Sequence, residues 1–260
     1  MTTSKLHSNN DLDALRSKLP DELKHMNLTP SSTGSMADTE NTSDDDTVRD
    51  ETQKVKTSEL YEILLLPIDA SFGIVSVNEM AAIKVKPMTI KERQKIRGNV
   101  SVLFAVRTPG CGGCREHAVQ LAELASKDKK VSLAGAVKET GVDDQALLDF
   151  YSQYFQHPIY KDEKWKIFHA MGGKKISVFS LIKRAAFLYK RTKSKGIESK
   201  VRHGDIWTKG GVLVFNRAGE LKYTQYEHFG REFDMQAIEQ AIQSIRREDK
   251  ELKRNSKSVP

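Results

Sequence analysis

Between residues 100 and 246 the hydrophobic pattern alternates between short apolar runs and stripes of helical spacing. SVLFAVR (101–107) is a near-continuous apolar run, as expected of a strand buried on both faces of a sheet. The stretch that follows carries Ala118, Leu121, Ala122 and Ala125 at helical spacing and ends in lysines that suit the helix dipole. VSLAGAVKE (131–139) predicts a second core strand, and Asp143 and Asp144 open a helix over DDQALLDFYSQYF. PIYKD (158–162) predicts a third strand, and EKWKIFHAMG a helix closed by Gly172. SVFSLIKRAAFLYKRTKSKG reads as a long amphipathic helix with a basic end. GGVLVFN and LKYTQYEH flank Arg217–Glu220 as a β-hairpin. Met235, Ile238, Ala241, Ile242 and Ile245 then form one face of a closing helix.

Strands alternating with helices predict an α/β fold: a mixed, mostly parallel sheet in a three-layer α/β/α sandwich, ending in a hairpin plus helix. Upstream, SELYEILLLPI (58–68) is a short helix or strand, SFGIVSVNEMAAIKV holds further short elements, and MTIKERQKIRGN (88–99) reads as helical. Residues 27–57 are rich in Ser, Thr, Asp and Asn and cannot bury enough apolar area to offset chain entropy. The domain prediction is therefore a disordered acidic leader at 1–57, one folded domain at 58–248 and a charged flexible tail at 249–260.

Charge sharpens that division. Residues 1–55 hold eleven acids against six Lys or Arg, a net of −5; the remainder holds 36 basic against 24 acidic residues, a net of +12. A basic folded part favours anionic partners or a membrane surface. No nucleic-acid motif accompanies the charge, so nucleic acid is not expected as a partner. No window approaches the roughly twenty apolar residues of a membrane span. The N-terminal stretch has no apolar h-region and carries acids early, so a cytoplasmic setting is expected.

The chemistry is concentrated in Cys111-Gly112-Gly113-Cys114, the only two cysteines of 260 residues. They fall where the first core strand turns into its helix. The first turn of a helix presents unpaired N–H groups and the positive end of the dipole, which lower a thiol's pKa. A C-x-x-C at the first core β–α turn is a thioredoxin-like arrangement. Cys111, at the very start of the helix, is the expected attacking thiolate and the more exposed sulfur; Cys114, one turn in, would resolve the adduct into a disulfide. Arg107, Thr108 and Arg115 flank the pair, and a guanidinium near sulfur stabilises thiolate and orients a peroxide oxygen. The plainer reading of Arg115 is a solvent-facing side chain, and His117 is expected to face solvent. Two other readings stand beside the redox one. The cysteines could be structural thiols, or Cys111, Cys114 and His117 could supply three zinc ligands, for which the sequence offers no fourth. No metal and no resident cofactor are expected.

The run VLFAVRTPGCGGCREHAVQLAEL resembles the peroxiredoxin-like proteins of the alkyl hydroperoxide reductase and thiol-specific antioxidant superfamily, the branch that includes prostamide/prostaglandin F synthases. The resemblance continues through VSLAGAVKE, PIYKDEKWKIFHAMG and GDIWTKGGVLVFNRAGELKY and covers about residues 95–246. It implies a thioredoxin fold, a redox-active Cys111/Cys114 pair and peroxide reduction, with electrons from a thioredoxin-type, NADPH-linked donor. Two positions depart from the wider pattern. Phe104 stands where peroxiredoxins carry a proline, although Thr108 keeps the T-x-x-C spacing, and Gly210-Gly211 stand where thioredoxins carry a cis-proline. The alternative function is a redox-regulated binding module that uses the fold and the basic segment 180–202, with peripheral membrane contact as its candidate role.

Overall fold

The computed structural model describes residues 63–67, 88–90, 100–138, 143–201 and 204–255. The leader at 1–57, most of the segment at 68–99 and the last five residues lie outside them. Within the described residues the order is β1 (Leu64–Pro67), β2 (Met88–Thr89), β3 (Val100–Val106), α1 (Gly112–Lys127), β4 (Val131–Val137), α2 (Asp144–Asp149), β5 (Ile159–Asp162), α3 (Lys166–Ala170), α4 (Val178–Ser194), β6 (Gly211–Phe215), β7 (Leu221–Tyr226) and α5 (Met235–Asn255). A π-helical turn, Phe150–Tyr154, extends α2, and a 3-10 turn, Glu163–Trp165, precedes α3.

The strands form one sheet in the order β2-β1-β5-β4-β3-β6-β7. β3 sits at its centre, pairing parallel with β4 and antiparallel with β6. All seven of its residues are buried, as its unbroken apolar run predicts. The segment β3-α1-β4 followed by the β6–β7 hairpin and α5 is the thioredoxin-like core, with β5 added parallel to β4. The sheet is mixed as expected, but the parallel part is narrower than the sequence pattern suggests, being confined to β5-β4-β3. β1 and β2 join the β5 edge antiparallel, so the ambiguous segment at 58–68 contains a strand. Met88 and Thr89, read as the start of a helix, pair with β1 instead; residues 91–99 are not among those described.

Alternation along β3 divides the core. Val100, Val102, Phe104 and Val106 face α1, α2, α4 and α5, while Leu103 and Ala105 face α3 together with Ile63 and Ile90. Helices thus cover both faces, unevenly. In α5 the stripe Ile238, Ile242 and Ile245 is buried as its spacing predicts. The helix continues through Asn255, past the expected domain end at 248, and from Lys250 onward it is exposed. The charged tail is therefore helical for most of its length, because no glycine or proline stops it.

Candidate active site

The site lies at the carboxyl end of β3, where the chain reverses through Thr108-Pro109-Gly110. The Cys111 N–H closes this turn on Thr108 O at 3.2 Å. Gly110 is required by a close approach: a Cβ there would lie 2.5 Å from Lys200 O, the residue whose N–H donates to Gly110 O. Cys111 is the N-cap of α1, with extended backbone (φ −76°, ψ 126°), and its carbonyl accepts the first intrahelical bond from the Arg115 N–H. Its sulfur therefore stands beside the unpaired N–H groups of the first turn. Both cysteines are reduced. The expected order of exposure holds narrowly, 5% against 1%, and neither sulfur is open to solvent.

Arg107, the residue that ends the β3 run, is turned into the protein. Its Nη2 donates to Cys111 Sγ at 2.9 Å. Nε donates to both oxygens of Glu227 at 3.1 Å, Nη2 also lies 3.0 Å from Glu227 Oε1, and Nη1 donates to Ile206 O at 2.9 Å. The guanidinium lies over the Phe229 ring, 5.1 Å from its centroid. Glu227 follows β7 directly and also accepts the Gly210 N–H at 3.2 Å. Gly210 has no room for a side chain, since a Cβ would run into Ala105 O. The glycine that stands in place of a proline thus lets the hairpin approach β3 closely enough to bring Glu227 to Arg107.

The two sulfurs are pushed in opposite directions. A hydrogen bond from the Cys114 thiol lowers Cys111 most; burial opposes it; Arg107 and the Cys114 backbone N–H lower it further, giving about 6. Burial, and the same hydrogen bond seen from its donor, hold Cys114 well above the ordinary thiol value. Burial pushes the Glu227 carboxyl up, but Arg107 and His117 hold it below the usual carboxylate range. Cys111 is thus a thiolate near neutral pH, and Cys114 a thiol that donates to it.

Above Cys111 is a cavity of about 30 Å³, bounded by Arg107, Cys111, Leu181, Leu188, Thr192 and Phe229 among others. One water-sized position needs roughly 10–15 Å³, so the space holds about two such positions. Its roof is α4, whose Leu181, Ala185, Leu188 and Thr192 are buried. The basic helix spends its apolar stripe on the domain, leaving Phe187 exposed on the outside. Residues 197–201 complete the cover: Ser199 Oγ accepts the Gly112 N–H at 3.2 Å, capping α1 from 87 residues away. Glu116, one turn into α1 and buried, accepts Arg191 (Nη2 at 2.7 Å) and Lys195 (Nζ at 2.7 Å) and so ties α4 to the cysteine helix.

Two flanking residues differ from expectation. Arg115 is fully buried, not solvent-facing: Nε donates to Pro109 O and Nη1 to Glu198 O, because the 197–201 segment crosses the side of α1 that the local pattern leaves open. It braces the turn and the cover and does not touch sulfur. His117 is also buried, stacked on Phe233 at 3.9 Å, with Nε2 against Arg231 O at 3.0 Å. Burial lowers its pKa. It points away from the cysteines, so the C-x-x-C-x-x-H spacing does not assemble; among the described residues no group of three His, Cys, Asp or Glu could hold a metal. Thr108 is buried beside Arg107 and serves the turn through its carbonyl. Trp207 is buried and Trp165 half-buried, as core or rim packing requires. Glu227, Ser199 and Glu116 carry no sequence signal, since each meets its partner across 75 or more residues.

The fold and this turn define a thioredoxin-like α/β protein with a dithiol at its first core β–α junction. A family model described as AhpC/TSA antioxidant enzyme matches residues 119–229, beginning just past Cys114. Peroxiredoxin-like 2A of Xenopus tropicalis is 27% identical over 185 residues, covering 69% of this chain and 79% of the relative. The Homo sapiens protein of that name is 28% identical over 188 residues, with the same coverage. Prostamide/prostaglandin F synthase of Aquarana catesbeiana is 28% identical over 159 residues, 57% of this chain and 77% of that one. The chain is thus similar in sequence to peroxiredoxin-like proteins over 56–70% of its length. Among solved structures, a peroxiredoxin-like protein from Aquifex aeolicus aligns at TM-score 0.43 and 10% identity, over 71% of this chain and 83% of that one. AhpC from Mycobacterium tuberculosis aligns at TM-score 0.43 and 10% identity, over 72% and 93%.

Proposed function

We propose that this chain is a thiol-dependent antioxidant oxidoreductase that reduces peroxides through a Cys111–Cys114 dithiol–disulfide cycle. The observation that supports it most is the 2.9 Å approach of Arg107 Nη2 to Cys111 Sγ beside a small, partly open pocket. The thiolate is the nucleophile of thiol chemistry, and a guanidinium pairs well with an oxyanion. The Cys111 sulfur attacks one peroxide oxygen. The O–O bond breaks, and its electron pair leaves on the other oxygen, which takes a proton from solvent and becomes water or an alcohol. Sulfur is left as S–OH with a hydroperoxide, or as an S–O–C ester with an endoperoxide, whose two oxygens both stay on carbon. The Cys114 thiol then displaces that oxygen; the S–S bond forms, and the thiol's proton leaves with the displaced oxygen as water or as the second alcohol of a diol. A thioredoxin-type donor, supplied from NADPH, returns two electrons and two protons and restores both thiols. A cytoplasmic setting, which keeps thiols reduced between turnovers, is part of the proposal. The substrate is hydrogen peroxide, a lipid hydroperoxide or an endoperoxide.

NADPH oxidation in the presence of thioredoxin, thioredoxin reductase and a panel of these peroxides tests the reading. Turnover should vanish in Cys111→Ser, while Cys114→Ser should stop after one equivalent and accumulate a sulfenic acid that dimedone traps. Full turnover by Cys111→Ser overturns it. One observation favours the second reading, a redox-regulated binding module: Phe187 stands exposed on the outer face of α4, near exposed Lys183 and Lys190. No turnover above a double-cysteine variant, together with oxidation-dependent binding to anionic vesicles, would select it.

A further inference from the structure

Among the described residues Glu227 is the acid buried against the thiol site, and no step of the peroxide cycle uses it. It is 3% exposed. Its two oxygens take the Nε–H and one Nη2–H of Arg107 and the N–H of Gly210, and its own N–H donates to Gly210 O at 2.9 Å. Carboxylate and backbone are thus both locked to the start of β6. With Ile206 O on Nη1 and Phe229 across its face, three of the five guanidinium N–H groups are engaged, and the one left on Nη2 faces Cys111 Sγ.

We propose that Glu227 is the positioning residue of this site: it holds Arg107 edge-on, so that the Nη2–H not taken by Glu227 donates to Cys111 Sγ. The role rests on reading Cys111 as the reacting thiol. A carboxylate is a costly choice for such a clamp, because its own negative charge acts against a thiolate. The geometry explains the choice. A carboxylate accepts at both oxygens, so it takes both edge N–H groups of arginine and the Gly210 N–H at once. A neutral amide in its place would turn an NH2 toward Nη2 or the Gly210 N–H, donor against donor.

Two effects of Glu227 on Cys111 therefore have opposite signs, which gives the test its edge. The titratable or polar groups facing the sulfur are Arg107 at the end of β3, Cys114 on α1, Glu227 after β7, Tyr189 and Thr192 on α4 and Ser199 in the cover. His117 faces Glu227 from α1. In Glu227→Gln only Glu227 changes. If it acts through Arg107, the guanidinium swings off and Cys111 becomes harder to ionise. If it acts only as a charge, Cys111 becomes easier to ionise.

The experiment is the pH profile of iodoacetamide alkylation, resolved for Cys111 by peptide mass, in the full chain and its variants. For Glu227→Gln the midpoint should rise by about one unit or more, so that alkylation at pH 5 slows about tenfold. A lowered or unchanged midpoint overturns the proposal. Glu227→Asp keeps the charge and withdraws the carboxylate by one methylene; it should show a smaller rise and remains informative if the glutamine variant fails to fold. A wild-type profile in the aspartate variant also overturns the proposal. Adding Arg107→Met to Glu227→Gln should slow alkylation no more than about twofold further, since the guanidinium is already displaced; a larger loss means Arg107 never needed Glu227. Alkylation needs no peroxide, so absent turnover with a raised midpoint would sink the peroxide reading and leave the positioning role standing.

Discussion

Two ion-pair clusters flank the cysteine helix, and they are built from the same parts at similar distances. On the sulfur side, Arg107 meets Glu227 at 3.0–3.1 Å with side chains 1% and 4% exposed. On the other side, Glu116 meets Arg191 and Lys195 at 2.7 Å, and Lys195 also meets Glu232 at 2.6 Å. There exposure climbs from 2% at Glu116 through 14% at Arg191 to 42% at Lys195. Distance alone would rank the second cluster stronger. Burial reverses the order, because a dry charge acts through a low effective dielectric and a wet one is screened. The dry pair can act on the sulfur; the wetter cluster acts by holding α4 down.

Arg107→Met should have the largest effect. It leaves Glu227 buried without its cationic partner, a change that costs about 3–5 kcal/mol in comparable buried pairs. It also removes the donor to Cys111, so the alkylation midpoint should rise well above 6. Urea unfolding and the alkylation profile measure the two effects. The double variant Arg107→Met/Glu227→Gln should recover much of the stability but none of the thiolate, separating the clamp's structural cost from its chemistry.

Glu116→Gln should come next and behave differently. It removes the buried acceptor that Arg191 and Lys195 share, but both keep Glu232 and some water, so the loss should lie nearer 2–3 kcal/mol. The Cys111 midpoint should stay near 6, because no group beside the sulfur changes. Access should change instead. A bulky maleimide should label Cys111 several-fold faster than in the wild type, while iodoacetamide labels at nearly the same rate. A shift of the midpoint as large as that of Arg107→Met would abolish the distinction between the clusters.

The division also marks what was legible in the sequence. The strand, turn and helix around Cys111 are local patterns, so the N-cap sulfur and the place of Arg107 next to it follow from spacing. The clamp does not. Glu227 is 120 residues from Arg107 and sits in YEH after a strand whose other residues are half-exposed, so nothing nearby distinguishes it from a surface acid. The cover fails to show for a related reason. Hydrophobic spacing says that α4 has an apolar face, but not that this face closes over the cysteines. The burial of Arg115 and His117 does not show in the sequence because helical periodicity marks the sheet-facing side of α1 alone. The 197–201 segment and the chain around Phe233 bury its flanks.

The difference in pH dependence between wild type and Cys111→Ser tests the dry side, because Asp162, pushed up to about 7 by burial, and His117 titrate in both proteins. Cys111 has a folded value of about 6, below that of a free thiol near 8.5. The unfolded chain therefore binds more protons between these values, so this group's contribution is complete above about 8.5 and is lost as pH falls through 6. Cys114, held above the ordinary thiol value, adds the opposite slope only at higher pH. Urea midpoints should thus rise from pH 6 to pH 8 in the reduced wild type and rise less in Cys111→Ser. Glu227, held low by Arg107 despite burial, contributes above the usual carboxylate range and loses that contribution only in acid. Identical slopes in the two proteins would mean that Cys111 is an ordinary thiol.

The smallest effect should belong to Lys195→Ala, and its size relative to Arg191→Ala sharpens the gradient within the wetter cluster. Lys195 is raised by hydrogen bonds to Glu116 and Glu232, but it is largely in solvent, so its pairs are worth less than about 1 kcal/mol. Arg191 also donates to Gly230 O at 2.8 Å and pairs with Glu116 through Nε and Nη2. Its loss should cost two to three times as much on the scale of charge-assisted bonds, about 2 kcal/mol. Repeating both measurements at roughly 0.5 M salt, where the Debye length is only a few ångströms, should erase the Lys195 effect and leave most of the Arg191 effect. Equal costs, or equal loss on adding salt, would mean that burial does not grade this cluster and that α4 is held by its apolar stripe alone.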